Sequence, residues 1–156
     1  MSQKNFKNDL LEFLGNHPAH VDANKVFMEL MPENRHKKVE NFSHTIWEEL
    51  EHLRLAQEDI LRYMLESGWK SPKWPEGYWP SEKETVSEEE WEQSVNGFFL
   101  DLEETQNFVK NTEIYLTEKI PHTTNHTYLR EILLIIDHNA YHLGKIVEMR
   151  KALKNW

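Results

Sequence analysis

Ile46-Trp47-Glu48-Glu49-Leu50-Glu51-His52-Leu53-Arg54-Leu55-Ala56-Gln57-Glu58-Asp59-Ile60-Leu61-Arg62-Tyr63-Met64 is the stretch that decides the fold. Within it Ile46, Leu50, Leu53, Gln57, Ile60 and Met64 recur at intervals of 4, 3, 4, 3 and 4. That spacing lays one stripe along a helix of 3.6 residues per turn. A half-buried strand needs alternation at every second residue instead, and no part of the chain shows it. The segment from about Ser43 to Glu66 therefore reads as a long helix.

Working outward, Ser87-Glu88-Glu89-Glu90 opens a further helix as a capping box, in which a Ser hydroxyl and a Glu carboxylate satisfy each other's free backbone N–H groups. Its stripe is Trp91, Val95, Phe98, Leu102, Thr105 and Val109. A last helix runs from about Thr127 to Lys154 on Leu129, Leu133, Ile136, Ala140, Leu143 and Val147. At the other end, Phe6, Leu10, Phe13 and Leu14 have helical spacing and stop at Gly15, with Pro18 just beyond. A short helix with Asp22 as N-cap carries Val26, Phe27, Leu30 and Met31 and ends before Pro32. Three long helices and an N-terminal one predict an all-α chain folded as an antiparallel four-helix bundle, a single domain over residues 1–156.

One connection is unusual. Ser67 to Val86 joins the second and third helices of the bundle without helical pattern, and loops of about this length in small domains are functional or disordered. Trp69, Trp74, Tyr78 and Trp79 argue for order, because such large apolar surfaces pack. The segment reads either as a strap pinned to the bundle or as a lid over a pocket.

Composition excludes several function classes. Eighteen Lys and Arg against 27 Asp and Glu leave a net charge of −9 with no basic block, the wrong sign for nucleic-acid binding through phosphate neutralisation. No apolar run approaches the ~20 residues that cross a bilayer. Met1-Ser2-Gln3-Lys4-Asn5 lacks the apolar stretch of a signal peptide, so a cytoplasmic location is expected. With no cysteine, disulfides, thiolate ligands and a cysteine nucleophile are ruled out.

Nine histidines remain to be placed. His138 and His142 stand at i and i+4, on one helix face and ~6 Å apart along the axis. At ~100° per residue they fall outside the polar arc of Arg130, Asp137, Glu148 and Lys151, beside Ile135, Ile146 and Met149. Two imidazoles turned toward partner helices need polar partners or a metal. A third ligand has to come from another helix. His52 lies mid-helix next to the apolar stripe and meets that need, whereas His44, ~12 Å earlier along the axis, points elsewhere. The other reading of His52 is a partly exposed residue paired with Glu48. The run His-Asn-Ala-Tyr-His lacks the glutamate base of His-Glu-x-x-His, and no pair of Glu-x-x-His motifs is present. A single three-His site is the remaining metal template, and it leaves positions open for water or substrate.

The run His138-Asn139-Ala140-Tyr141-His142-Leu143-Gly144-Lys145-Ile146-Val147, followed by Arg150, resembles the C-terminal signature of the DinB-like (DinB/YfiT) superfamily. The helix Ile46-Trp47-Glu48-Glu49-Leu50-Glu51-His52-Leu53, the loop Trp74-Pro75-Glu76-Gly77-Tyr78-Trp79-Pro80 and the ending Ala152-Leu153-Lys154-Asn155-Trp156 resemble it as well. The resemblance implies a four-helix bundle that binds one divalent metal through three histidines, often as a homodimer. The matching positions are His52, His138 and His142. Members of that family include S-transferases using low-molecular-weight thiols such as bacillithiol or mycothiol, a maleylpyruvate isomerase, and proteins described as metal-dependent hydrolases.

Two functional readings follow. In the first, a divalent ion (Zn or Ni foremost, with Fe, Co or Mn as alternatives) activates a water for hydrolysis or an exogenous low-molecular-weight thiol for transfer to a small-molecule substrate. Any thiol nucleophile has to be a cosubstrate, since the chain has none. Glu48, Glu49 and Asp137 are candidates to orient the imidazoles. His44 and His126 either line the site mouth or make local hydrogen bonds. Tyr141 lies on the polar side of its helix, and Gly144 either admits a close neighbour or is simply tolerated. In the second reading the chain is a non-catalytic metal-binding or stress-related bundle that docks a partner.

Overall fold

Local chemistry fixes where the helices begin. The structure, a computed structural model, describes residues 3–15 and 19–156; Pro18, the expected stop after the first helix, lies outside them. Its α-helices are α1 (Gln3–Gly15), α2 (Ala23–Phe27), α3 (Ile46–Leu65), α4 (Glu88–Lys110) and α5 (Tyr128–Ala152), with single 3-10 turns at Pro32–Asn34 and Glu76–Tyr78. No strand occurs among the described residues; one isolated antiparallel bridge joins Lys119 to Thr127.

α3 begins at a capping box that the apolar spacing did not reveal. The Thr45 hydroxyl accepts the Glu48 N–H (3.2 Å), and the Glu48 carboxylate accepts the Thr45 N–H (2.6 Å). This places the start just inside the expected Ser43. At α4 the Ser87–Glu90 box forms as the sequence predicts, and Thr127 caps α5. α2 is shorter than expected, because Met28 is extended and Glu29 takes a left-handed φ of 56°. Arg150 accounts for that ending: its Nη1 donates to the carbonyls of Lys25, Val26 and Met28 at 2.7–3.1 Å.

α3 packs against both α4 and α5, α1 packs on α4, and α2 on α5. All six residues of the α3 stripe are buried. Burying a side chain of this size contributes about 1.5–3 kcal/mol, so the stripe is the main attachment of α3 to its neighbours. Gln57, the polar member, donates to the Phe98 carbonyl (2.7 Å) and accepts from Asn139 (2.7 Å), which joins α3, α4 and α5 at one point. Lys7 attaches the N-terminal helix by donating to the carbonyls of Asn111 and Ile114, just past the end of α4.

α5 corrects the sequence reading. Of the expected stripe only Leu143 and Val147 are buried; they join a face of Ile132, Ile135, Asn139, His142, Ile146 and Met149, while Leu133 is 48% exposed and Leu129, Ile136 and Ala140 are only half-buried. Leu133-Leu134-Ile135-Ile136 is apolar most of the way around the helix, so spacing alone cannot choose a face there. Asn139 and His142 choose it, because each finds a buried polar partner on α3.

Residues 66–87 link α3 to α4. Trp69, Tyr78 and Trp79 are half-buried and Trp74 is exposed. Close to the 3-10 turn the chain passes so near itself that a Cβ on Gly77 would lie 2.7 Å from the Pro72 Cβ, and only glycine fits.

Candidate metal centre

His52 on α3 and His138 and His142 on α5 converge, with ligand atoms all within 4.8 Å of one another. Hydrogen-bond chemistry fixes two of the three tautomers. A carbonyl only accepts, so His52 Nδ1–H donates to the Tyr78 carbonyl at 2.9 Å. His142 Nδ1–H donates to Glu49 Oε2 at 2.6 Å. Both rings therefore carry their lone pair on Nε2. The His52 Nε2 lies 3.1 Å from the His138 Nε2. Two nitrogens bonded to one tetrahedral zinc at about 2.0–2.1 Å lie about 3.3 Å apart, so the observed gap suits a shared cation. His138 Nδ1 is buried without a partner among the described groups.

Electrostatics disfavours charge on His52 and His138. Burial holds His52 below the ordinary imidazole range, against the opposing pull of the Tyr78 carbonyl. Burial, with the His142 and His52 rings adding to it, pushes His138 down to about 3. Neutral imidazoles are what a metal requires as ligands. Burial works to raise Glu49, but hydrogen bonds from His142 and Lys145 prevail and hold it below the usual carboxylate range. Glu49 thus stays anionic: it takes His142 on one oxygen and the Lys145 ammonium on the other.

Trp79 closes one side. Its ring lies flat on His52 (centroids 4.0 Å apart, planes 2° apart) and flat on His44 from the other side (3.7 Å, 12°). His44, which precedes the Thr45 cap of α3, therefore reaches the site only through Trp79 and stays clear of the cluster. Of the three orienting candidates, Glu49 alone fills the role; Glu48 belongs to the α3 cap and Asp137 is exposed. The pairing of His52 with Glu48 does not form. His126 sits away from the triad, against the Tyr63 hydroxyl (3.0 Å) and Glu131 (3.3 Å). Tyr141 is 65% exposed yet presents an edge to His142 at 4.9 Å. Around Gly144 a Cβ would meet nothing within 4 Å, so no close neighbour within the chain explains it.

Sequence reasoning missed Lys145 and the roles of Tyr78 and Trp79. Lys145 follows His142 by three residues and shares its face, a readable signal. Tyr78 acts through its backbone carbonyl and Trp79 through a loop without periodicity, and neither leaves a pattern to read.

Fold and site together define an all-helical protein with a three-histidine cluster fit to hold a metal ion. The chain belongs to the DinB superfamily, whose family model matches residues 19–146, a span that includes all three histidines. No curated protein and no solved structure matches it.

Proposed function

We propose that the chain is a divalent-metal-dependent enzyme in which His52, His138 and His142 hold one ion, Zn or Ni foremost. The observation that carries this reading is the donor set: three imidazoles with ligand atoms within 4.8 Å of one another, and no further His, Cys, Asp or Glu among the described residues joining them. Three protein ligands with an open position is the pattern of catalytic rather than structural zinc. When bound, the ion supplies Lewis acidity that lowers the pKa of a water or of an exogenous low-molecular-weight thiol, for hydrolysis or S-transfer. The protein's own part is positional. Tyr78 and Glu49 hold the Nδ1 protons of His52 and His142, Lys145 balances Glu49, and the Trp79 ring keeps water off one face of His52.

The same reading takes α1, α3, α4 and α5 as an antiparallel four-helix bundle, supported by the packing of α3 on α4 and α5 and of α1 on α4. It takes residues 67–86 as the crossover, and the whole chain, residues 1–156, as one cytoplasmic domain acting on a small-molecule substrate as a homodimer. Among the described residues no helix is long and apolar enough to cross a membrane. Elemental analysis of untagged protein, with His52→Ala and His138→Ala alongside, tests the metal: about one ion per chain is expected, lost in both variants. Screens for thiol transfer and for ester or amide hydrolysis then separate the two chemistries. Wild-type protein that stays empty after reconstitution with Zn, Ni, Fe and Mn overturns the reading, and a loaded protein inactive in both screens favours the partner-docking bundle.

A further inference from the structure

Asp59 lies seven residues beyond His52 on α3, two turns and about 10 Å along the axis. Its carboxylate is buried, and both of its oxygens are used by the segment that covers the site. Trp69 Nε1–H donates to Oδ1 and the Tyr78 hydroxyl donates to Oδ2, each at 2.7 Å. Burial, then the neighbouring Asp59, pushes the Tyr78 phenol up to about 12, so it remains a donor.

Tyr78 thereby connects two places. Its side chain is fixed on Asp59, and its carbonyl takes the Nδ1–H of His52. The next residue, Trp79, lies flat on the same imidazole. The close passage of Gly77 over Pro72 leaves little slack on the near side of this link. Without the Tyr78 carbonyl the Nδ1–H form of His52 loses its acceptor, and the ring is free to carry its proton on Nε2, where it cannot bind a cation.

We propose that Asp59 is a positioning residue for the three-histidine centre: by fixing Trp69 and Tyr78 it holds the Tyr78 carbonyl and the Trp79 ring on His52, and so sets the tautomer and orientation of that ligand. The part of this inference that concerns metal affinity rests on the function proposed above; the part that concerns the tautomer does not.

Three variants test it with two readouts, the ring ¹⁵N shifts of His52 in metal-free protein and zinc affinity by competition with a chromophoric chelator. Asp59→Leu is expected to mix the His52 tautomers and to weaken zinc binding about tenfold to a hundredfold, the usual effect of losing an outer-shell partner. Asp59→Asn is expected to stay within about threefold of wild type, because its amide oxygen still accepts from Trp69 and its amide nitrogen donates to the phenol oxygen. Tyr78→Phe removes a single hydroxyl, guards against a failure of the leucine variant to fold, and is expected to shift both readouts in the same direction by less. If Asp59→Leu and Tyr78→Phe only lower the melting temperature and leave tautomer and affinity at wild-type values, Asp59 is a structural anchor and the inference fails. If wild type itself binds none of Zn, Ni, Fe and Mn, the proposed function fails, and the ¹⁵N shifts alone still decide the role of Asp59.

Discussion

Glu49 is the residue on which the charges of the site balance. It is 1% exposed and touches the His142 imidazole and the Lys145 ammonium. Replacing it with alanine removes the acceptor that holds His142 with Nε2 facing inward. Metal affinity is expected to fall about tenfold to a hundredfold, by the same chelator competition. Glu49→Gln keeps an oxygen for His142 and loses only the charge opposite Lys145, so its affinity is expected to lie between those of alanine and wild type. Equal losses in the two variants would mean that charge, rather than orientation, is what Glu49 supplies. At this scale the triad was legible in the sequence: the i,i+4 spacing named His138 and His142, and the α3 stripe placed His52 beside the interior. Glu49 was one of three candidates that spacing could not rank, because Glu48 and Glu49 differ by one position on the helix and only the cap geometry takes Glu48 out of contention.

Among the elements, α3 and α4 were readable because their buried faces are apolar at single, well-separated positions. α5 was readable only toward its end, at Leu143 and Val147, because earlier its apolar residues outnumber the places on one face and two polar residues decide which way it turns. The Gln57–Asn139 contact is part of that decision. Gln57→Leu preserves the bulk of the stripe but leaves the Asn139 amide and the Phe98 carbonyl without their partner, and is expected to cost about 1–3 kcal/mol in chemical denaturation. A neutral result would show that both groups find other partners. At the start of α4, the hydrogen bond from Lys83, then those from Ser87, hold Glu90 down at about 2. A carboxylate depressed in the folded state adds stability that is present above its ordinary value of 4.5 and is lost as the pH falls toward 2. The melting temperatures of wild type and Glu90→Gln are therefore expected to differ at pH 7 and to converge at low pH. Ser87→Ala, which removes the cap itself, is expected to cost about 0.5–2 kcal/mol.

For the whole molecule, the end of α5 is tied to α2 and the turn after it by side chains that periodicity cannot show. Arg150 donates to three carbonyls around the end of α2, and Asn155 takes the Met31 N–H and the Asn34 amide. The apolar residues of α5 that the buried face does not use point elsewhere. Leu133, Ile136 and Ala140 line a cavity of about 420 Å³ together with Phe13, and Leu133 and Phe13 are each nearly half exposed. His20 and Asp137 line it too. Exposed apolar residues grouped in this way mark interaction sites on small domains, and they support placing the proposed homodimer contact here. Sedimentation equilibrium is expected to return twice the chain mass for wild type at micromolar concentration. Leu133→Glu puts a charge in the contact while leaving the buried face of α5 and the three histidines untouched. It is expected to give a monomer with unchanged helical circular dichroism and unchanged metal content. A dimer that survives this substitution lies on another face, and a wild type that is monomeric across the concentration range removes the homodimer from the reading without affecting the metal centre, whose ligands all come from one chain.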